Sequence, residues 1–166
     1  MLISLRINNF ALIDHLDLKL GSGLNVFTGE TGAGKSIILD AINATLGAKR
    51  DRRIIRTGTR RAILEATFEL NPALAQWLSA QEIDPVDGTL VICSREIIIV
   101  QDSLRTRSRI NGILVNRKIM DQLRDRLVEI TAQGQTLQLG NPNLQREWLD
   151  LYGGYSLLKC LSLIHI

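Results

Sequence analysis

The sequence predicts an α/β fold in which a glycine-rich loop joins a strand to a helix, with antiparallel β structure beside that core. Three observations carry this expectation. Residues 29–36 read GETGAGKS, the G-x-x-x-x-G-K-S spacing of a phosphate-binding P-loop. The apolar run at residues 24–27 precedes the loop and the apolar residues 37–42 follow it, which supplies the strand-loop-helix context that such a loop requires. Further on, Asn111-Gly112 separates two strand-like runs, a hairpin signal that does not belong to a purely parallel sheet.

The loop carries its own chemistry. Gly29, Gly32 and Gly34 lack a Cβ, so the backbone can take positive φ and wrap closely enough to aim N–H groups at phosphate oxygens. The cofactor-binding set is then Gly29, Glu30, Thr31, Gly32, Ala33, Gly34, Lys35, Ser36 and Ile37. The positive end of the helix that starts near Lys35 points at the same place. Lys35 is suited to reach the β- and γ-phosphates as a point charge, and the Ser36 hydroxyl to ligate a Mg²⁺ that bridges them. Together they describe a site for a nucleoside triphosphate with Mg²⁺.

Taken in order, residues 2–7 alternate apolar and polar at period two, pause at Asn8-Asn9, and resume over residues 16–20, which predicts two strands joined by a bend. Gly21-Ser22-Gly23 turns the chain into the strand at 24–27. In the helix after the loop, Ile37, Ile38, Ala41, Ile42 and Leu46 share a broad apolar face, and Gly47 is the stop. Residues 49–61 hold seven basic residues against one acidic, a pattern open to two readings, a solvated loop or arginines facing phosphate. Residues 63–70 read as a strand and 72–80 as a short helix with Leu74, Trp77 and Leu78 on one side; 84–88 is turn chemistry. Residues 89–100 and 107–115 are strand-like and bracket a basic polar segment that reads as a hairpin tip. A helix follows over 117–126, with Ile119, Met120, Leu123 and Leu127 at helical spacing, then a short strand at 128–130 and a polar loop at 131–135. Leu144, Trp148, Leu151 and Tyr152 share one more helical face. Residues 155–166 differ in texture, which sets the expected domain at 1–154 and leaves the remainder as a tail.

Composition narrows the partners less than the motif does. Hydrophobic residues at 45% and charged residues at 22% describe an ordinary globular chain, and a net charge of +3 requires that any nucleic-acid contact come from local clustering. Cys93 and Cys160 form no C-x-x-C pattern, and His15 and His165 have no neighbouring ligands, so neither zinc nor a disulfide framework is indicated. The N-terminus is not a secretory signal and no run approaches the ~20 apolar residues of a membrane span. A cytoplasmic protein is expected.

A self-sufficient P-loop NTPase also needs a second carboxylate at the end of an apolar strand. Asp102 after residues 97–100 comes nearest, but Gln101 displaces it by one position, which reverses its face. No N-K-x-D guanine-recognition sequence is present. The opening L-x-I-x-N-F (Leu5, Ile7, Asn9, Phe10), the GETGAGKS loop with its continuation, the Arg56-Thr57-Gly58 triplet, the Arg109-Ile110-Asn111-Gly112 hairpin and the Gln133 loop together resemble, in that order, the N-terminal part of the bacterial RecN family. These are DNA double-strand-break repair ATPases related to the SMC proteins.

The resemblance implies the first lobe of an ABC-type ATPase head. It implies ATP as the nucleotide, and a catalytic pair of Lys35 and Gln133, with Gln133 also contacting Mg²⁺ and the attacking water. It further implies Arg56 near the nucleotide or a partner head, a second head in a homodimer, and DNA as the partner of the full-length, nucleoid-associated protein. The C-terminal lobe with its signature and Walker B motifs is missing from the sequence. Many relatives carry I-H-G-Q-H where this chain has Ile130-Thr131-Ala132-Gln133-Gly134, so the flanking histidine roles do not transfer. The competing readings are a complete small P-loop phosphotransferase with its carboxylate in cis, and a basic DNA-binding module in which the P-loop is a relic.

Overall fold

A computed structural model describes residues 1–28, 34–48, 54–101 and 103–128, together with 145, 146, 149 and 152. The chain divides into two compact units, Met1–Val128 and Glu129–Ile166. In the second unit Gln145, Arg146, Leu149 and Tyr152 are helical with exposed side chains, which agrees with a helix after Pro142. Of the strand expected at 128–130, Val128 is the extended C-cap residue of the helix over 117–127 and belongs to no described strand; residues 129 and 130, the Gln133 loop and the tail at 155–166 lie outside the described residues.

The first unit is built on one six-stranded antiparallel sheet in the order β2-β1-β3-β4-β5-β6. Its strands are β1 (Leu2–Phe10), β2 (Ile13–Lys19), β3 (Arg61–Glu69), β4 (Leu90–Val100), β5 (Ser103–Ile110) and β6 (Ile113–Val115). Period-two alternation decides which face is buried. Leu5 and Ile7, Ala62, Leu64, Ala66 and Phe68, and Val91, Cys93 and Ile97 turn to one side and lose all contact with water. Three helices are described with this sheet: α1 (Lys35–Thr45), which contacts β1, β3 and β4, α2 (Pro72–Ser79) and α3 (Arg117–Leu127). Ala41 and Ala44 of α1, Leu74 and Leu78 of α2, and Met120 and Leu123 of α3 join the same core.

Local chemistry explains the ends of these elements. Asn71 and Asn116 cap α2 and α3, each accepting from the amide three residues on, at 2.8 and 3.0 Å. The β5–β6 hairpin turns on Asn111 (φ 50°) and Gly112 (φ 82°), the paired positive φ of a two-residue turn. The Asn111 side chain also accepts from the Ile92 amide at 2.7 Å and donates to the Asp84 carbonyl at 2.7 Å, so one residue ties the hairpin to two other segments.

Two expectations are corrected. Residues 24–27 do not form a strand: they lie outside the sheet, with Leu24 90%, Val26 70% and Phe27 44% exposed. A strand exists through its ladder partners, and no described residue pairs with this run. The turn before it is instead closed locally by Asn25, whose side chain accepts from the Gly21 amide at 3.0 Å and donates to the Gly21 carbonyl at 2.9 Å. The basic segment at 103–106 is part of β5 and not a hairpin tip; Ser103 to Thr106 pair with Val100 to Ile97, and the chain turns at Gln101, φ 44°.

Gly47 ends α1 at φ 94°, and a Cβ there would stand 2.9 Å from the Met120 Cγ of α3. Gly47→Ala therefore meets both backbone strain and a clash, and should destabilise the unit by about 1–3 kcal/mol. A fall of several degrees in the melting midpoint, followed by circular dichroism, is the expected readout.

Candidate nucleotide-binding site

Helix α1 begins where the phosphate loop ends. Gly34 occupies its N-cap position at φ 86°, ψ 2°, in the left-handed region, and a Cβ there would meet nothing within 4 Å. The glycine is required by the backbone angle and not by crowding. Lys35 is the first helical residue, and the amides of Ile37 and Ile38 reach back to the Gly34 carbonyl at 3.0 and 3.3 Å. No side chain caps this end and no acidic residue lies in its first turn. The positive end of the helix is therefore not neutralised from within, and the exposed Ser36 hydroxyl stands beside it. A phosphate group and a hydrated divalent cation fit this combination of amides, positive helix end and open hydroxyl.

The opposite end of α1 is held from the sheet. Arg95, on β4 and only 7% exposed, donates through Nη1 to the carbonyl oxygens of Ala44 at 2.7 Å and Ala48 at 2.8 Å. The helix has no basic residue in its own last turn, so β4 supplies the cation that its carbonyl end favours. The Thr45 hydroxyl donates to the Ala41 carbonyl at 2.7 Å, and Ile37, Ile38 and Ile42 pack against the core from the helix's inner face.

The structure brings Gly34, Lys35, Ser36 and Ile37 together in one helical turn. Gly29, Glu30, Thr31, Gly32, Ala33, Gln133 and Asp102 lie outside the described residues. Arg56 is placed beside the β1–β2 turn: its amide donates to the Asn9 carbonyl at 3.0 Å and its guanidinium pairs with Asp14 at 3.4 Å. Among the described residues no group of three or more His, Cys, Asp or Glu side chains could hold a metal. Burial pushes the Cys93 thiol up to about 12, so it is a core residue and not a nucleophile. The exposed His15 ring is bonded to Asn8 at 2.7 Å. No described helix is long and apolar enough to cross a membrane.

Arg95 was not among the residues singled out from sequence. Its signal was present: within L-V-I-C-S-R-E-I-I-I-V it shares the parity of Val91, Cys93 and Ile97, which places a cation on the inward face.

A glycine-capped helix opening from a phosphate loop, seated on a sheet, defines a P-loop nucleotide-binding protein. Residues 4–147 match the family model described as an AAA domain, and the chain belongs to that family. Among individual relatives, it is 52% identical over its whole length to the DNA repair protein RecN of Synechocystis sp. and 37% identical over 159 residues to that of Haemophilus influenzae. It spans 28% of the length of each. The RecN relationship inferred from the ordered motifs is thus shown.

Solved structures give the fold. An SMC ATPase, from work on ATP-driven dimerization and DNA-stimulated activation, aligns with a TM-score of 0.64 at 20% identity, covering 89% of this chain and 96% of its own. The recombination mediator RecF bound to ATP aligns at 0.52 and 14%, covering 69% and 27%. The predicted first lobe of an ABC-type head, with antiparallel β structure beside the P-loop core, agrees with these neighbours.

Removing the Arg95 guanidinium leaves two helix-end carbonyls without this donor in a buried position. Arg95→Met should cost about 2–3 kcal/mol in urea unfolding, and Arg95→Lys should recover part of that loss by restoring the charge.

Proposed function

We propose that this chain is the ATP-binding lobe of an ATPase head that serves DNA double-strand-break repair and recombination. The observation that carries the nucleotide reading is the first turn of α1, with its left-handed Gly34, its uncapped positive end and the exposed Ser36. The 52% identity to a RecN protein supports ATP over other nucleotides and supports DNA as the partner of the longer protein.

In this reading Gly29 to Ser36 wrap the phosphates through their amides, Lys35 neutralises the β- and γ-oxygens, and Ile37 anchors the loop to the helix. Ser36 and Gln133 hold Mg²⁺, with Gln133 also orienting the attacking water, and Arg56 stands at the margin towards nucleotide or partner head. The metal, when bound, draws charge from the transferring phosphoryl group. Hydrolysis needs a further carboxylate and a signature sequence, which a C-terminal lobe and a second head of a homodimer would supply. The exposed Leu24, Val26, Phe27 and Leu39 fit a surface that such a lobe covers. The longer protein would act in the cytoplasm at the nucleoid. The competing assignment, a complete small phosphotransferase with a carboxylate in cis, differs in what this chain does alone.

A Mg-ATP titration that follows binding and phosphate release together separates the two. The expected result is weak binding that falls at least about tenfold in Lys35→Ala, with no steady turnover. Steady turnover that depends on Lys35 would overturn the incomplete-site reading and establish an enzyme complete in itself.

A further inference from the structure

The sheet ends differently on its two sides. At one edge stands β6, three residues long; at the other stands β2, seven residues long, and among the described residues no strand pairs with its outer side. Side chains on the open face of the sheet answer one another. Glu96 pairs with Arg61 at 2.7 Å and lies 3.9 Å from the cluster's other arginines, Arg107 and Arg109. Arg6 pairs with Asp17 at 3.2 Å, and the His15 ring bonds to Asn8 at 2.7 Å. What β2 leaves over is backbone. Leu20 donates to the Ile3 carbonyl at 2.8 Å, and alternation along an antiparallel ladder then turns the amides and carbonyls of Leu16 and Leu18 towards β1 and those of His15, Asp17 and Lys19 outward. An edge of this length with free donors and acceptors is a template for a further strand.

Two properties of β2 choose the occupant. Leu16 and Leu18, on its inner face, pack against the core but are only half-buried, so the apolar layer is open at this edge. The sequence I-D-H-L-D-L-K is also complementary to itself when run antiparallel about Leu16. In that register Leu16 meets Leu16 of a second copy on the inner face, while His15 meets Asp17 and Asp17 meets His15 on the open face. Asp14, which shares the inner parity, is already paired with Arg56 at 3.4 Å. A shift of two residues one way sets Asp17 against Asp17 and His15 against Lys19; the other way it sets His15 against His15 and Leu16 against Asp14. Odd shifts fail outright, because they oppose the outward backbone of one strand to the bonded backbone of the other.

We propose that β2 is a self-association edge, at which two copies of this chain join antiparallel about Leu16 into one continuous sheet with a two-fold axis through its centre. The interface is isologous, each strand supplying the same groups that it receives. Backbone bonds of His15 and Asp17 give it affinity, and the cover over Leu16 and Leu18 with the paired His15 and Asp17 gives it register. The area of one strand edge is small for a permanent dimer, so association is reversible and depends on concentration. The inference goes beyond the proposed function: it joins sheet edges and not nucleotide sites, and needs neither ATP nor Lys35.

The test is sedimentation equilibrium of the full chain without nucleotide over a rising concentration series, with cysteine cross-linking to read the register. The unsubstituted chain should pass from monomer to dimer, and so should Lys35→Ala, which separates this outcome from that of the ATP titration. His15→Asp sets carboxylate against carboxylate twice and should weaken the dimer about tenfold; the swap His15→Asp/Asp17→His should restore it. Asp17→Pro removes an outward amide without breaking a bond to β1, leaves Arg6 its second partner Glu65 at 3.4 Å, and should abolish the dimer. In a Cys160→Ser background, Leu16→Cys should form an intermolecular disulfide under mild oxidant, because directly opposed residues of a non-hydrogen-bonded pair lie about 4.5 Å apart at Cα. Leu18→Cys, opposite Asp14 in this register, should not. Melting midpoints identify variants that fail to fold; if Asp17→Pro is one, the charge swap and the cross-link decide. A monomer at every concentration, an undiminished dimer in folded His15→Asp, or association abolished only by Leu24→Gln/Phe27→Gln would each overturn the proposal.

Discussion

The two hydrogen bonds from Arg95 to the end of α1 set the position of the helix that opens from the phosphate loop. A guanidinium cannot be deprotonated to escape burial, so it must find acceptors where it lies. The last carbonyls of a helix lack partners within the helix and carry the negative end of its dipole. Each group therefore answers the other's requirement, and the helix cannot slide along the sheet without orphaning both. Gly47 continues the constraint, because its positive φ and missing Cβ let the chain leave α1 against Met120. An error of an ångström at this end would be carried along a rigid helix to Gly34 and Ser36.

The front of α1 has no comparable support among the described residues. Residues 24–27 carry Leu24, Val26 and Phe27, the composition of a buried strand, yet stand outside the sheet and largely in water. Their apolar character is a requirement for burial that the described part of this chain does not meet. Leu39, 45% exposed on α1, makes the same demand. The antiparallel sheet, in contrast, is laddered strand to strand, and the middle of one face is buried. The chain thus joins a laddered β structure to an edge beside α1 at which Leu24, Val26, Phe27 and Leu39 stand exposed.

That division explains what could be read from sequence. Elements stabilised by their own neighbours in the chain were legible: Asn111-Gly112 demanded a tight turn, the 3.6-residue spacing of Met120 and Leu123 marked α3, and Gly34 and Gly47 bounded α1. The strand expected at 24–27 failed because an apolar run records the need for a partner and not its presence. The basic stretch at 103–106 was misread because arginine and threonine suggest a loop, whereas β4 offered an edge long enough to pair with them, and one exposed face tolerates charge at every second position. Arg95 escaped notice because a strand cation reads as solvent-facing until the parity of its neighbours is counted. The loop glycines were legible as a motif, but the distances from Lys35 or Gln133 to a phosphate follow from no local pattern.

Arg95 and Glu96 are consecutive on β4, and the pleat sends them to opposite faces. The first reaches the carbonyl end of α1, the second the arginine cluster of the open face. Burial of both charges within two residues is costly unless each is matched, and each is matched by a different element: a helix end on one side, Arg61 on the other. The backbone of β4 therefore lies under two electrostatic loads whose geometries are mutually dependent, because a register shift or twist that relaxed one would displace the other. The end of α1 and the arginines around Glu96 are thus held by consecutive residues of one strand.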